Sequence, residues 1–174
     1  MNKKIKVILS GFAMAGAVAG IALATPSLGV LSNKILSTGV KNGDIHAHAH
    51  VAVPGTEEEE FSAELETEGP SNFIVQDVIF GPAGTTGWHK HPGILLLSLT
   101  ADSAPVDWYD SHCNKHVYNP GDSWTEGTSV HDVVNSSAIN AHFLVTYVVA
   151  KGQNKRTDIP AADVPACAAG LGLL

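Results

Sequence analysis

Three histidines in two short stretches carry the chemistry that this chain could perform. His89 and His91 stand two apart in Gly81-Pro-Ala-Gly-Thr-Thr-Gly-Trp-His-Lys-His-Pro-Gly93, between a turn-rich segment and the apolar run Ile94-Leu-Leu-Leu-Ser-Leu-Thr100. Alternate side chains of an extended backbone share a face, so both imidazoles point the same way. Two neutral imidazoles on one strand are half of a transition-metal site. In Asn119-Pro-Gly-Asp-Ser-Trp-Thr-Glu-Gly-Thr-Ser-Val-His-Asp-Val-Val-Asn135, the same period of two puts His131 and Asn135 on one face of a strand running from Val130. His89, His91 and His131 are thus candidate ligands of a divalent transition metal (iron, zinc, nickel, copper or manganese), and Asn135 a candidate to hold a ring or a water by hydrogen bonding. Three nitrogen ligands leave a position open for water or substrate, which separates a reactive site from a structural one. The plainer alternative is three imidazoles hydrogen-bonding in a polar barrel mouth.

The two stretches resemble the paired motifs of the cupin superfamily, the first carrying HxH and the second a Gly-Asp turn followed by HxxxN. Gly84, His89, His91 and Gly93 match the first, and Gly121, Asp122, His131 and Asn135 the second. The resemblance spans roughly residues 71–150 and implies an all-β, single-domain, cupin-like antiparallel β-barrel (a double-stranded β-helix or jelly roll) with the metal inside. The family's first motif has a Glu separated from its second His by three or four residues, where this chain has Leu95 and Leu96. Its Pro-x-Gly before the second-motif His is also degenerate, reading Glu126-Gly127-Thr128. A carboxylate is therefore missing from its expected place. Gln76 and Asp77 are candidate substitutes, and because neighbours on a strand face opposite sides, at most one looks inward.

All-His cupin sites resemble those of oxygenases acting on diketones, thiols or flavonoids, which implies a metal-dependent oxygenase of a small organic anion. Two alternatives stay open: a module that binds a small molecule or metal without turnover, and a structural domain whose site has decayed. No general base is evident beside the trio, and fold does not decide function.

The remaining chain must position these residues. Its 174 residues suit one domain. Met1-Asn-Lys-Lys-Ile-Lys6 is basic, Val7 to Leu23 is mostly small and apolar, and Ala22-Leu-Ala24 offers an A-x-A site, so residues 1–24 read as a secretory signal peptide. The alternative is an uncleaved anchor. Cleavage removes Lys3, Lys4 and Lys6 and moves the formal charge from −7 to −10, which disfavours nucleic acid and anionic membranes as partners. The expected partners are a small-molecule ligand or substrate, with no stable membrane insertion after cleavage and a homodimer as the oligomer to look for. Cys113 and Cys167 are the only cysteines, and in a secreted or extracytoplasmic protein they read as a disulfide.

Residues 25–70 read as a lead-in with first strands, loosely structured as far as about Lys41. Asp44-Ile-His-Ala-His-Ala-His-Val-Ala-Val-Pro54 then alternates His46, His48 and His50 with small apolar residues, which suggests the polar face of an edge strand ahead of an accessory metal site. Glu57 to Glu60 reads as a solvated acidic run. Residues 71–150 hold the barrel strands: Phe73 to Phe80, an Ile94 to Leu99 strand buried on both faces, a hairpin from Val106 to Tyr118 with Cys113 at its tip, and His142 to Ala150. His112, His116 and His142 read as non-ligands. Residues 151–174 read as an irregular tail pinned by Cys167.

Overall fold

The computed structural model describes residues 24–56 and 59–173, so the expected leader lies outside the described residues except for Ala24. Among the described residues twelve strands run in order: β1 (Leu28–Lys41), β2 (Ile45–Ala52), β3 (Glu59–Thr67), β4 (Ser71–Thr85), β5 (His89–Lys90), β6 (Ile94–Leu99), β7 (Val106–Asp110), β8 (Lys115–Tyr118), β9 (Ser123–Glu126), β10 (His131–Val134), β11 (Ala141–Ala150) and β12 (Thr157–Asp158). A short 3-10 turn at Ala161–Asp163 and a single helical turn, α1 (Ala168–Leu171), follow. The main sheet is antiparallel in the order β12-β5-β10-β4-β11-β6-β9, with β1 added on β4 and the β7-β8 hairpin on β10. This is the all-β antiparallel barrel that the motifs imply.

Period-two alternation builds the interior. Val78 and Phe80 of β4, Leu95, Leu97 and Leu99 of β6, and Phe143 and Val145 of β11 point inward and form one buried cluster with Trp124 and Val133. Each fully buried aliphatic or Phe side chain contributes about 1.5–3 kcal/mol relative to exposure. The barrel interior is thus apolar on one side, and polar side chains enter it at few places.

Three expectations need correction. The lead-in is not loose: β1 pairs along the whole of β4, from Leu28 opposite Thr85 to Lys41 opposite Ser71. Irregularities at Leu28/Val30, Val30/Ser32 and Ile35/Ser37 break its alternation, because each bulge moves the following side chains to the other face. Strand β6 is buried on one face only, with Ile94 and Leu96 exposed at 48% and 53%. Their side looks toward Ala47, Ala49, Ala63 and Leu65 of the separate β2-β3 hairpin across an open groove. A continuous apolar run does not by itself show that both faces are covered. The tail, finally, is not merely irregular: β12 pairs with β5, and Ile159 and Ala168 pack with Trp88 as a second buried cluster.

Two glycines of the first histidine stretch allow close backbone approach. Gly87 has φ +67, and a Cβ there would sit 2.5 Å from the Thr25 carbonyl oxygen. A Cβ on Gly93 would lie 2.2 Å from the Val148 carbonyl oxygen. Any side chain at either position would push the histidine segment off its neighbours.

Candidate metal centre

Three strands and one turn bring the donors together. His89 on β5 pairs in register with His131 on β10, His91 follows β5, and Glu126 ends β9. Ring centroids lie 4.7 Å apart for His89 and His91, 4.3 Å for His89 and His131, and 5.2 Å for His91 and His131. One ligand atom from each of His89, His91, Glu126 and His131 lies within 4.8 Å of all the others, so these four buried residues could hold a metal ion.

Backbone carbonyls fix how the rings present themselves. His89 Nδ1 lies 2.7 Å from the Gly87 carbonyl, His91 Nδ1 2.7 Å from that of Lys155, and His131 Nδ1 2.8 Å from that of Ser129. A carbonyl can only accept, so each Nδ1 carries a proton and each Nε2 is left to bind metal through its lone pair. His91 Nε2 and His131 Nε2 are buried and make no directed hydrogen bond. Both nonetheless lie near Glu126 Oε2, at 3.4 Å and 3.1 Å. Donors that crowd together without bonding one another are what a cation would satisfy, and three nitrogens with one oxygen suit a first-row transition metal.

Glu126 is the carboxylate that the sequence lacks at Leu95 and Leu96. It pairs in register with Leu95 across the β9-β6 ladder, so the acid has moved to the facing strand. Its two oxygens are divided. Oε1 accepts from Trp108 Nε1 at 3.2 Å and Trp124 Nε1 at 3.0 Å, leaving Oε2 toward the histidines. Burial would raise the Glu126 carboxyl, but contacts with His131 and His91 outweigh it and hold the group well below the usual carboxylate range. Burial would lower His131, yet the close approach and charge of the Glu126 carboxylate raise it. For His89, burial and then the charge of Arg156 hold the imidazole well below its ordinary value. A neutral ring is the state a metal requires.

Replacing the Trp124 indole with a phenyl ring removes its N–H but keeps an aromatic face toward Tyr118, whose ring centroid lies 4.4 Å from the indole's. Trp124→Phe should keep the fold while weakening metal binding by about tenfold, toward the low end for losing a group that orients a ligand. Competition against a chromophoric chelator measures this. An unchanged affinity would show that Oε1 needs no second donor.

The other predicted residues fall elsewhere. Asn135 is buried, but its Nδ2 donates to the carbonyls of Gly81 and Ile139 at 2.9 Å and 2.8 Å, and its Oδ1 accepts from Ser137 N–H at 3.0 Å. It ties β4 to the loop ahead of β11 and hydrogen-bonds to none of the three rings. Gln76 is the inward one of the adjacent pair, and its Oε1 accepts from Lys155 Nζ; it is not one of the four clustered donors. Asp77 faces outward and accepts from His142 Nε2 at 2.7 Å. His112 and His116 are exposed. His46 and His48 are exposed on β2 beside Glu66 and Glu64 of β3, at 3.5 Å and 3.3 Å. His48, Glu64 and Glu66 lie close enough to share an ion, but exposed pairs of this kind commonly form without one. His50, also exposed, lies outside both groups.

A cavity of about 100 Å³ opens beside the four donors. Val78, Phe80, Leu97 and Phe143 line its apolar side, and Gln76, Tyr147, Lys155 and Arg156 its polar side. Burial, then the charge of Arg156, lowers Lys155 from its ordinary value. Burial, followed by the charge of Glu126, raises Tyr147, which keeps its proton. Sequence reasoning missed Glu126 and Lys155. The inward period of Trp124 and Glu126 was the available signal for the first, and nothing local pointed to the second.

No family model matches the chain, and no curated protein matches it. Among solved structures it is similar to the polyketide cyclase RemF from Streptomyces resistomycificus, at 14% identity over 56% of this chain and 68% of that one, with a TM-score of 0.45. It is also similar to a cupin domain from Bordetella pertussis, at 20% identity over 63% of this chain and 97% of that one, with a TM-score of 0.40. A third is a sugar phosphate isomerase of the cupin superfamily from Silicibacter pomeroyi, at 18% identity over 53% of this chain and 70% of that one, with a TM-score of 0.40.

Proposed function

We propose that this chain is an exported metalloenzyme that binds one divalent first-row metal through His89, His91, His131 and Glu126 and acts on a small organic molecule in the adjoining cavity. The observation that carries this reading is the convergence of four buried donors, each with its outer atom already hydrogen-bonded, beside a cavity. A structural domain with a decayed site has no need of such an arrangement. The disulfide Cys113–Cys167 fits an oxidising compartment, and no helix among the described residues is long and apolar enough to cross a membrane.

Bound there, the metal would supply a Lewis acid that polarises substrate oxygens. The chain's own contribution is orientation and exclusion of water. Apolar residues shield one side of the cavity, and Tyr147 and Gln76 offer hydrogen bonds on the other. The reaction class we favour is oxygenation of a small organic anion, with iron as the metal. Oxygen uptake by iron-loaded protein over a panel of diketones, thiols and phenolics tests it. Uptake should track iron content and vanish in His91→Ala. Absence of uptake together with an unchanged ligand by mass spectrometry would favour a binding module. One observation speaks for that second reading: apart from the four donors, Tyr147, Lys155 and Arg156 are the only ionisable cavity-lining groups among the described residues.

A further inference from the structure

The tail places two cations over the cavity, and they differ in how they are satisfied. Arg156 Nε donates to Asp158 Oδ1, and its Nη2 donates to the Thr86 carbonyl at 2.6 Å. Lys155 has no such partner: its Nζ donates to the neutral amide oxygen of Gln76 and lies 5.0 Å from the Tyr147 ring centroid. It pairs with no carboxylate among the described residues. A half-buried ammonium held only by an amide and an aromatic face still lacks its counter-charge.

The metal centre lies close by. His91 meets the same Tyr147 ring, with centroids 5.8 Å apart, and its Nδ1 bonds the Lys155 backbone carbonyl. One residue therefore fixes a candidate ligand by its main chain and sends its charge into the cavity by its side chain. A dication there would leave a net positive charge after Glu126 is counted, and Lys155 would add to it. This stands inside a protein whose formal charge is −7. Low-dielectric walls focus such a field on the cavity.

Size narrows the ligand further. About 100 Å³ is well below the roughly 300–1,000 Å³ of pockets that take drug-sized molecules, so the cavity suits only a few carbons. We infer that the cavity selects a short-chain organic acid, whose carboxylate replaces Gln76 as the partner of Lys155 Nζ while a second oxygen faces the four-donor centre. The inference rests on the proposed metal centre for that second oxygen alone. Lys155 is then the residue that determines specificity, because a carboxylate pairs its charge as well as accepting its hydrogen bond, whereas a neutral analogue offers no more than the amide oxygen of Gln76 already does.

Calorimetric titration of the zinc-loaded protein with malonate and with its neutral isostere malonamide tests this, using the unaltered chain, Lys155→Met and Lys155→Arg. Metal content and melting temperature are measured on each. Malonate should bind the unaltered protein at least about tenfold more tightly than malonamide, lose about tenfold or more in Lys155→Met, and recover most of that in Lys155→Arg. In Lys155→Met the preference for malonate over malonamide should shrink to within about threefold. Equal malonate affinity in the unaltered chain and Lys155→Met at equal metal content would overturn the inference, as would malonamide matching malonate or no malonate binding at all. If the unaltered protein takes up no zinc, the metal reading fails by itself. Malonate titration of the metal-free proteins then decides the role of Lys155 separately, with dependence on Lys155 supporting it and independence overturning it.

Discussion

Glu126→Gln should cost the protein its metal affinity by about a hundredfold or more, while the barrel stays folded. The substitution keeps size and shape, and the amide oxygen can still accept from Trp108 and Trp124. What changes is the atom now held at Oε2, an amide nitrogen without a lone pair to give. Loss of a residue that merely orients a ligand costs about 10–100-fold, so loss of the ligand itself belongs at or beyond the top of that range. Removing the carboxylate also removes the only negative charge among the four donors. Chelator competition gives the affinity, and circular dichroism checks the fold. Affinity within about threefold of the unaltered chain would show that neither the ligand atom nor the charge of Glu126 is needed, with a three-histidine centre sufficient by itself.

Breaking the Cys113–Cys167 disulfide should have the largest effect on stability. The bridge joins residues 54 apart in sequence, for which chain entropy gives about 4 kcal/mol. At roughly 2–4 °C per kcal/mol for a chain of this size, the melting temperature should fall by about 10 °C on reduction or in Cys113→Ser. Cys113 sits in the left-handed region at φ 60, in a turn where Asp110 Oδ1 accepts from the N–H groups of His112 and Asn114 at 2.8 Å and 2.9 Å. The hairpin tip is thus ordered by its own bonds, and the tail has more to lose. That tail supplies the Lys155 carbonyl to His91 and the Leu173 carbonyl to Trp88 Nε1 at 2.9 Å. Reduction should therefore also weaken metal binding by about tenfold and expose the tail to proteolysis first. A melting temperature that moves by less than about 3 °C would mean that packing of Ile159 and Ala168 on Trp88 holds the tail without the bridge.

The parts of this architecture that follow local periods could be read from the chain. Phe73 to Phe80 and His142 to Ala150 are rich in branched and aromatic strand formers and make the centre of the barrel, and the HxH spacing does put His89 and His91 in one place. What escaped depends on relations between strands. Glu126 becomes a candidate ligand only once β9 is set against β6 and its register with Leu95 is known. Strand β1 hid because its bulges scatter Val30, Leu31, Ile35 and Leu36 across both faces. The role of Lys155 was doubly hidden, since its tie to His91 runs through a backbone carbonyl, which has no side-chain signature. Asn135 shows the reverse error: its place four residues after His131 suggested a partner for a ring, whereas its buried amide is used up by the carbonyls of Gly81 and Ile139.

The central claim is the metal centre, and elemental analysis of the purified protein beside a His89→Ala, His131→Ala double variant tests it most directly. The two rings form the closest pair, with centroids 4.3 Å apart, so their joint removal takes away half of the donors. The account predicts about one first-row transition metal per chain in the unaltered protein and close to none in the variant, with the barrel intact by circular dichroism. Equal metal in both would contradict it and move the site elsewhere, with His46, His48 and His50 on the β2-β3 hairpin the first place to look.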